Sequence, residues 1–219
     1  MVPSLHAARV SVDAPLHARD QRRRGARGDA GGAVTAAVFL DRDGTLIEEV
    51  GYLDRRDRMA LYPWSIDAVR ALNRAGIPVI MVSNQSGIAR GFFSEAALGD
   101  IHRHLASLLA AGGARLDAYY HCPHHPDGRV AEYTRSCECR KPGGALVERA
   151  VRELGVDPRR SFTVGDRWVD VALARTVGAR GLLVRTGYGA LEEARPPDGL
   201  TADAVVDNLI GAVSWILSQ

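Results

Sequence analysis

Asp41-Arg42-Asp43-Gly44-Thr45 stands directly after the apolar run Ala36-Ala37-Val38-Phe39-Leu40. A short apolar run of this kind reads as a buried strand, so both aspartates fall where that strand ends and the chain turns. Two carboxylates one residue apart at a strand tip repel unless a cation lies between them. An aspartate can attack phosphorus, and a neighbouring acid can protonate the leaving oxygen. The stretch outlines a phosphoryl-transfer site. Taken alone, it also suits a capped turn at a strand end.

Beyond it, short apolar runs alternate with helical segments. Strands are expected at 36–40, 77–82, 116–120, 161–164 and 181–184. Ser65 is expected to cap a helix running to 75, and Ser94 one that stops at Gly112. Further helices are expected at 144–154, 168–177 and 207–217. Strands alternating with helices predict an α/β fold with a doubly wound parallel sheet and helices on both faces. Ligands bind such sheets at the carboxyl ends of the strands. There, Asp41 and Asp43 meet Ser83-Asn84-Gln85-Ser86 after the second strand and Gly165-Asp166 after the fourth.

With 219 residues, 46% of them hydrophobic, the chain can build one core. A net charge of +2 does not mark a nucleic-acid binder. No apolar run approaches the roughly 18 residues of a membrane span. Residues 1–33 carry six arginines and a Gly-rich end but no periodicity and no apolar signal core. They read as a disordered extension, or as a start placed too far upstream, rather than as a basic arm. The domain is then 34–219, with the cytoplasm as the expected compartment and a monomer as the expected state. Of 28 basic residues only Lys141 is a lysine. A lone lysine marks a place where a compact point charge serves and a planar guanidinium does not.

All three cysteines lie within eighteen residues, as Cys122-Pro-His124-His125 and Cys137-Glu-Cys139. Three thiolates and one imidazole in two close pairs make a tetrahedral Zn²⁺ site, closed and therefore structural. Cys-x-His mirrors Cys-x-Cys, which favours His124, although spacing alone leaves His125 open. Such a site would staple the loop that delivers Arg140 and Lys141 to the strand tips.

Asp-x-Asp-Gly-Thr after a strand, Ser83 after the next, Lys141 before a helix and Gly165-Asp166 with Asp170 together resemble the haloacid dehalogenase superfamily. That resemblance implies Asp41 as nucleophile, Asp43 as proton donor and acceptor, and Ser83 with Lys141 on the phosphoryl oxygens. It implies Mg²⁺ on the Asp41 carboxylate, the Asp43 carbonyl and Asp166. Asp170 would support the metal or the lysine, or serve only as a helix-start acid. Ser-Asn-Gln-Ser-Gly-Ile-Ala-Arg-Gly (83–91), Cys-Pro-His-His-Pro-Asp-Gly (122–128) and Cys-Glu-Cys-Arg-Lys-Pro-Gly (137–143) narrow the likeness to heptose bisphosphate phosphatases. The likeness runs from Val34 to Leu217.

The family pattern implies substrate contacts at Arg42, at Glu49, Val50, Gly51 and Tyr52, at Asn84, Gln85 and Ser86, and at Arg140 and Arg167. Arg140 would grip the phosphate that is not cleaved, and Arg167 stands where the family commonly has lysine. No large cap domain is expected. The implied reaction removes the 7-phosphate of a heptose 1,7-bisphosphate, a small phosphorylated sugar. The histidinol-phosphate phosphatase domain is the near alternative. A nucleic-acid 3′-phosphatase would need stacking aromatics, which make up only 6% of the chain. A zinc-containing binding module without activity sits poorly with intact Asp41, Asp43, Lys141 and Asp166.

Overall fold

The computed structural model describes residues 35–219; the expectation for 1–33 lies outside them. Six strands form one parallel sheet: β1 (Val38–Leu40), β2 (Val79–Asn84), β3 (Ala118–Cys122), β4 (Phe162–Gly165), β5 (Arg180–Val184) and β6 (Ala204–Val206). Their order is β3-β2-β1-β4-β5-β6, every pair parallel. The chain winds outward from β1 to β3, then returns past β1 to build β4 to β6. That reversal lies beside β1, where an open α/β sheet forms its ligand crevice.

Among the described residues six α-helices cover the sheet: α1 (Ser65–Arg74), α2 (Glu95–Ala111), α3 (Ala145–Leu154), α4 (Trp168–Val177), α5 (Gly189–Glu193) and α6 (Leu209–Leu217). Alternate residues of the short central strands feed opposite cores. Val38 and Leu40 join Ala68 and Leu72 of α1, Leu105 of α2 and Val213 of α6. Phe39 points the other way, onto Leu146, Val147 and Ala150 of α3. Side chains of this size contribute about 1.5–3 kcal/mol each when fully buried.

Ser94 caps α2 as expected, its hydroxyl accepting from the Ala97 amide at 3.2 Å. Ser65 does not cap α1. It is the first helical residue, and its hydroxyl donates instead to the Leu46 carbonyl at 2.7 Å, tying the helix to the segment after β1. The edge strand β6 and the one-turn-long α5 were not expected; each is too short to show a period. No cap domain interrupts the described residues, and none of their helices is long and apolar enough to cross a membrane.

Candidate active site

β1 is hydrogen-bonded between β2 and β4, with Leu40 level with Met81 and Val164. The next residues of the three strands therefore emerge together. Asp41, Asp43, Ser83, Lys141, Asp166 and Asp170 line one cleft of about 450 Å³. Gly44 makes the turn there with φ +76°, and a side chain on it would run into the Asp166 carboxylate.

Lys141 is almost wholly buried. Its ammonium donates to Asp41 Oδ1 at 2.6 Å and to the Val82 carbonyl at 2.9 Å, and pairs with Asp170 Oδ1 at 2.6 Å. Three N–H groups meet three acceptors. Burial alone would lower its pKa, but the charges of Asp170 and Asp41 outweigh it and raise it. Asp170 serves twice, because its Oδ2 also accepts the Arg167 amide at the start of α4 at 3.3 Å. It is both lysine partner and helix cap.

The carboxylate oxygens of Asp41, Asp166 and Asp170 converge closely enough to hold one ion. Asp170 is committed to Lys141 and Arg167, which leaves Asp41 and Asp166. Burial, opposed by Lys141 and reinforced by the charges of Asp170 and Asp43, pushes Asp41 up to about 6. Burial and the Asp41 charge push Asp166 up to about 8, against the hydrogen bond it accepts from the Tyr188 amide. Carboxylates held this far above their ordinary range suit a hard divalent cation, which favours their ionised form. The residues present fit Mg²⁺.

The zinc expectation meets a comparable fit. Sγ–Sγ separations among Cys122, Cys137 and Cys139 are 3.4, 3.2 and 3.2 Å. His124 Nδ1 lies 3.3 Å from Cys139 Sγ and 3.8 Å from Cys122 Sγ. The sulfurs are far outside the roughly 2.05 Å of a disulfide. A tetrahedral zinc with Zn–S near 2.3 Å implies edges of about 3.8 Å, so the four atoms could hold it after a slight expansion. Nε2 of His124 lies 2.7 Å from the guanidinium of exposed Arg135. A metal on Nδ1 puts the ring proton on Nε2, so that arginine would swing outward. His125 faces Arg90 and Asp127 instead, and His121 is buried beside His102.

Several residues expected at the cleft take other places. Arg42 is 1% exposed and turned inward, its guanidinium on the Asp43 carboxylate. Any contact it makes with a ligand falls to its backbone. Val50 packs on the core under the cleft wall rather than lining it. Asn84 lines the cleft, but its amide clasps the Lys141 backbone in both directions, at 2.9 and 3.2 Å. Gln85 also lines the cleft, with its amide bonded to Asp43, Ser83 and Arg42. Glu49, Gly51, Tyr52, Ser86, Arg140 and Arg167 do line the cleft. The Arg167 guanidinium lies 4.0 Å over the Tyr188 ring.

The cleft also takes Arg90, His125 and Tyr188, which sequence reading passed over. Arg90 is the basic residue next to the end of the 83–91 stretch and His125 adjoins His124, so both had a signal; Tyr188 had none. Arg90 Nε and Arg140 Nη1 are buried donors without a hydrogen-bond acceptor. The loop between the two cysteine pairs braces these residues, its Arg129 and Val130 amides both donating to the Ala89 carbonyl at 2.6 and 2.9 Å. The cleft thus combines carboxylates and one ammonium at the strand tips with a cluster of Arg90, His125 and Arg140.

A family model described as HAD-hyrolase-like matches residues 138–212. The chain is 42% identical over 175 residues to a D-glycero-beta-D-manno-heptose-1,7-bisphosphate 7-phosphatase of Yersinia pestis, covering 79% of this chain and 90% of the relative. A D-glycero-D-manno-heptose-1,7-bisphosphate 7-phosphatase of Thermosynechococcus vestitus is 42% identical over 188 residues, 84% of this chain and 96% of its own. The crystal structure of D,D-heptose 1.7-bisphosphate phosphatase from B. bronchiseptica, complexed with magnesium and phosphate, superposes with a TM-score of 0.75 at 32% identity. It covers 84% of this chain and 99% of its own. The chain is a phosphomonoesterase of the haloacid dehalogenase superfamily and belongs to its family of D-glycero-D-manno-heptose-1,7-bisphosphate 7-phosphatases.

Proposed function

We propose that this cleft removes the 7-phosphate of D-glycero-D-manno-heptose 1,7-bisphosphate, giving heptose 1-phosphate and inorganic phosphate. The observation that carries the reading is the make-up of the cleft. The carboxylates and ammonium at the strand tips share it with two arginines whose buried Arg90 Nε and Arg140 Nη1 lack acceptors, a lining suited to a substrate that carries a second phosphate. The names of the relatives point the same way.

In this reading the Asp41 carboxylate attacks phosphorus and the bond from phosphorus to the sugar oxygen breaks. Asp43 gives that oxygen a proton, leaving an aspartyl-phosphate on Asp41. Water then attacks phosphorus, Asp43 takes its proton, and Asp41 is released with inorganic phosphate. The Ser83 hydroxyl, bonded to Gln85, and Lys141, held by the Asn84 clasp and turning to the phosphoryl group the N–H it gives Asp41 here, would hold the transferring phosphoryl oxygens. Mg²⁺ held by Asp41, the Asp43 carbonyl and Asp166 would offset the charge on those oxygens. Arg140, with Arg90 and His125, would take the 1-phosphate, a guanidinium fork matching its oxygens. Glu49 and Tyr52, which line the same cleft, would meet the sugar hydroxyls. Zn²⁺ on Cys122, His124, Cys137 and Cys139 would hold the arginine cluster in place.

Phosphate release from heptose 1,7-bisphosphate, histidinol phosphate and a 3′-phosphorylated oligonucleotide, compared with Mg²⁺ present, tests the reading. The heptose ester is expected to have the highest kcat/KM. A higher value for histidinol phosphate or for the oligonucleotide would refute it.

A further inference from the structure

An arginine buried to 1% exposure beside a cleft it does not line needs a reason, because desolvating a guanidinium is costly. Its partners supply one. Arg42 Nη2 donates to both oxygens of the Asp43 carboxylate at 2.8 Å, and Nε reaches both at 3.1 Å. From the other side Gln85 Nε2 donates to Asp43 Oδ2 at 2.9 Å and to the Ser83 hydroxyl at 2.7 Å. The Gln85 carbonyl oxygen accepts from Arg42 Nη2 at 3.1 Å, closing the ring. Behind it, His102 Nε2 sits 3.5 Å from Arg42 Nη1. Burial and the charge of Arg42 hold the His102 pKa well below its ordinary value, so a neutral ring can offer Nε2 as the acceptor.

We propose that Arg42 and Gln85, braced by His102, are positioning residues that set the plane of the Asp43 carboxylate and its offset from Ser83. The inference rests on the reading of Asp43 as proton donor and acceptor. An aspartate's terminal torsion is broad and nearly two-fold, so an unclamped carboxylate would sample orientations useless for proton transfer. Two donors from one planar fork and a third from an amide remove that freedom. Gln85 also links Asp43 to Ser83, so the acid and the phosphoryl clamp are held as one unit. A 1 Å misplacement in such a unit can cost on the order of 10²-fold in rate.

Arg42→Lys tests the fork, since it keeps the charge and loses the planar pair of donors. The readout is release of the leaving group in the first turnover, with Mg²⁺ present. One ester is heptose 1,7-bisphosphate, whose alkoxide needs a proton; the other is 4-nitrophenyl phosphate, whose phenolate leaves without one. Arg42→Lys is expected to slow cleavage of the sugar ester on the order of 10²-fold and the aryl ester by less than about tenfold. KM for the sugar ester should stay within about threefold, because Arg42 makes no wall of the cleft. Gln85→Met should show the same split and decides the matter if the arginine variant does not fold, as judged by near-ultraviolet circular dichroism.

Equal slowing of both esters, or wild-type cleavage of the sugar ester in the variant that folds, would overturn the clamp. Asp43→Asn run alongside separates the two readings. If it slows the sugar ester selectively and the clamp variants do not, only the clamp fails. If it slows both esters alike, the reading of Asp43 itself fails.

Discussion

Replacing Lys141 by arginine keeps the charge and uses the residue that fills the other 27 basic positions of the chain. The side chain is 3% exposed, and its three N–H groups already meet Asp41, Asp170 and the Val82 carbonyl at 2.6, 2.6 and 2.9 Å. A guanidinium brings five donors in a rigid plane. Two would be left without acceptors, at about 1–3 kcal/mol each where water is excluded. Forcing the larger head group into a filled site adds about 1–3 kcal/mol. Because the cleft lets one edge of the group reach solvent, the lower third of the combined range applies, ~3–5 kcal/mol. For a domain of this size each kcal/mol is worth roughly 2–4 °C, so Tm should fall by about 6–20 °C. The wider head group would also push the Asp41 carboxylate aside, lowering kcat on the order of 10²-fold. Thermal unfolding followed by circular dichroism and steady-state phosphate release measure the two effects. A variant melting within about 3 °C of the wild type and turning over within threefold would refute the reasoning.

Two further outcomes follow from other parts of the molecule. Freshly purified protein should carry one zinc per chain by metal analysis. Cys139→Ser should lose that zinc and lower kcat, because Cys139 stands two residues before Lys141; zinc-free, fully active wild-type protein would remove the structural role. Burial, with the charges of Arg42 and His121, keeps the His102 pKa well below 6.5. Unfolding frees the ring to bind a proton that the folded state refuses. Stability from this group is therefore complete above about pH 6.5 and falls as pH drops below it, with a slope approaching about 1.4 kcal/mol per unit. Urea unfolding at pH 7.5 and 5.5 should show His102→Gln losing less stability on acidification than the wild type, and equal losses would contradict the assignment.

Much of the fold was legible because its signals are local. Val38-Phe39-Leu40 is apolar on both faces and is buried on both, as a central parallel strand must be. Helix α3 carries Leu146, Val147 and Ala150 on one stripe and ends at Gly155 with φ +67°, a left-handed cap that glycine permits. Where the local signal was short or ambiguous, the reading failed. Ala204–Val206 is only three residues long. Ser65 looks like a cap by residue type, but the Leu46 carbonyl, nineteen positions earlier, claims its hydroxyl. The family resemblance implied a substrate contact at Arg42, and its side chain turns instead to Asp43, to Gln85 and toward His102, the last two far along the chain.

The sequence by itself determined which groups could do the chemistry and in which strand tips they stand: Asp41 and Asp43 after the first run, Ser83 after the second, Asp166 after a later one, and a lone lysine behind a cysteine pair. Residue type and spacing carry that information without the fold. Only the tertiary structure decided how each side chain spends its hydrogen bonds. Lys141 lies 100 positions from Asp41 in sequence and 2.6 Å from it in space. Asn84 holds the Lys141 backbone, and Asp170 both caps α4 and faces the ammonium. Buried polar groups must find partners wherever the packed chain puts them, and those partners come from strands and loops that only the sheet brings together.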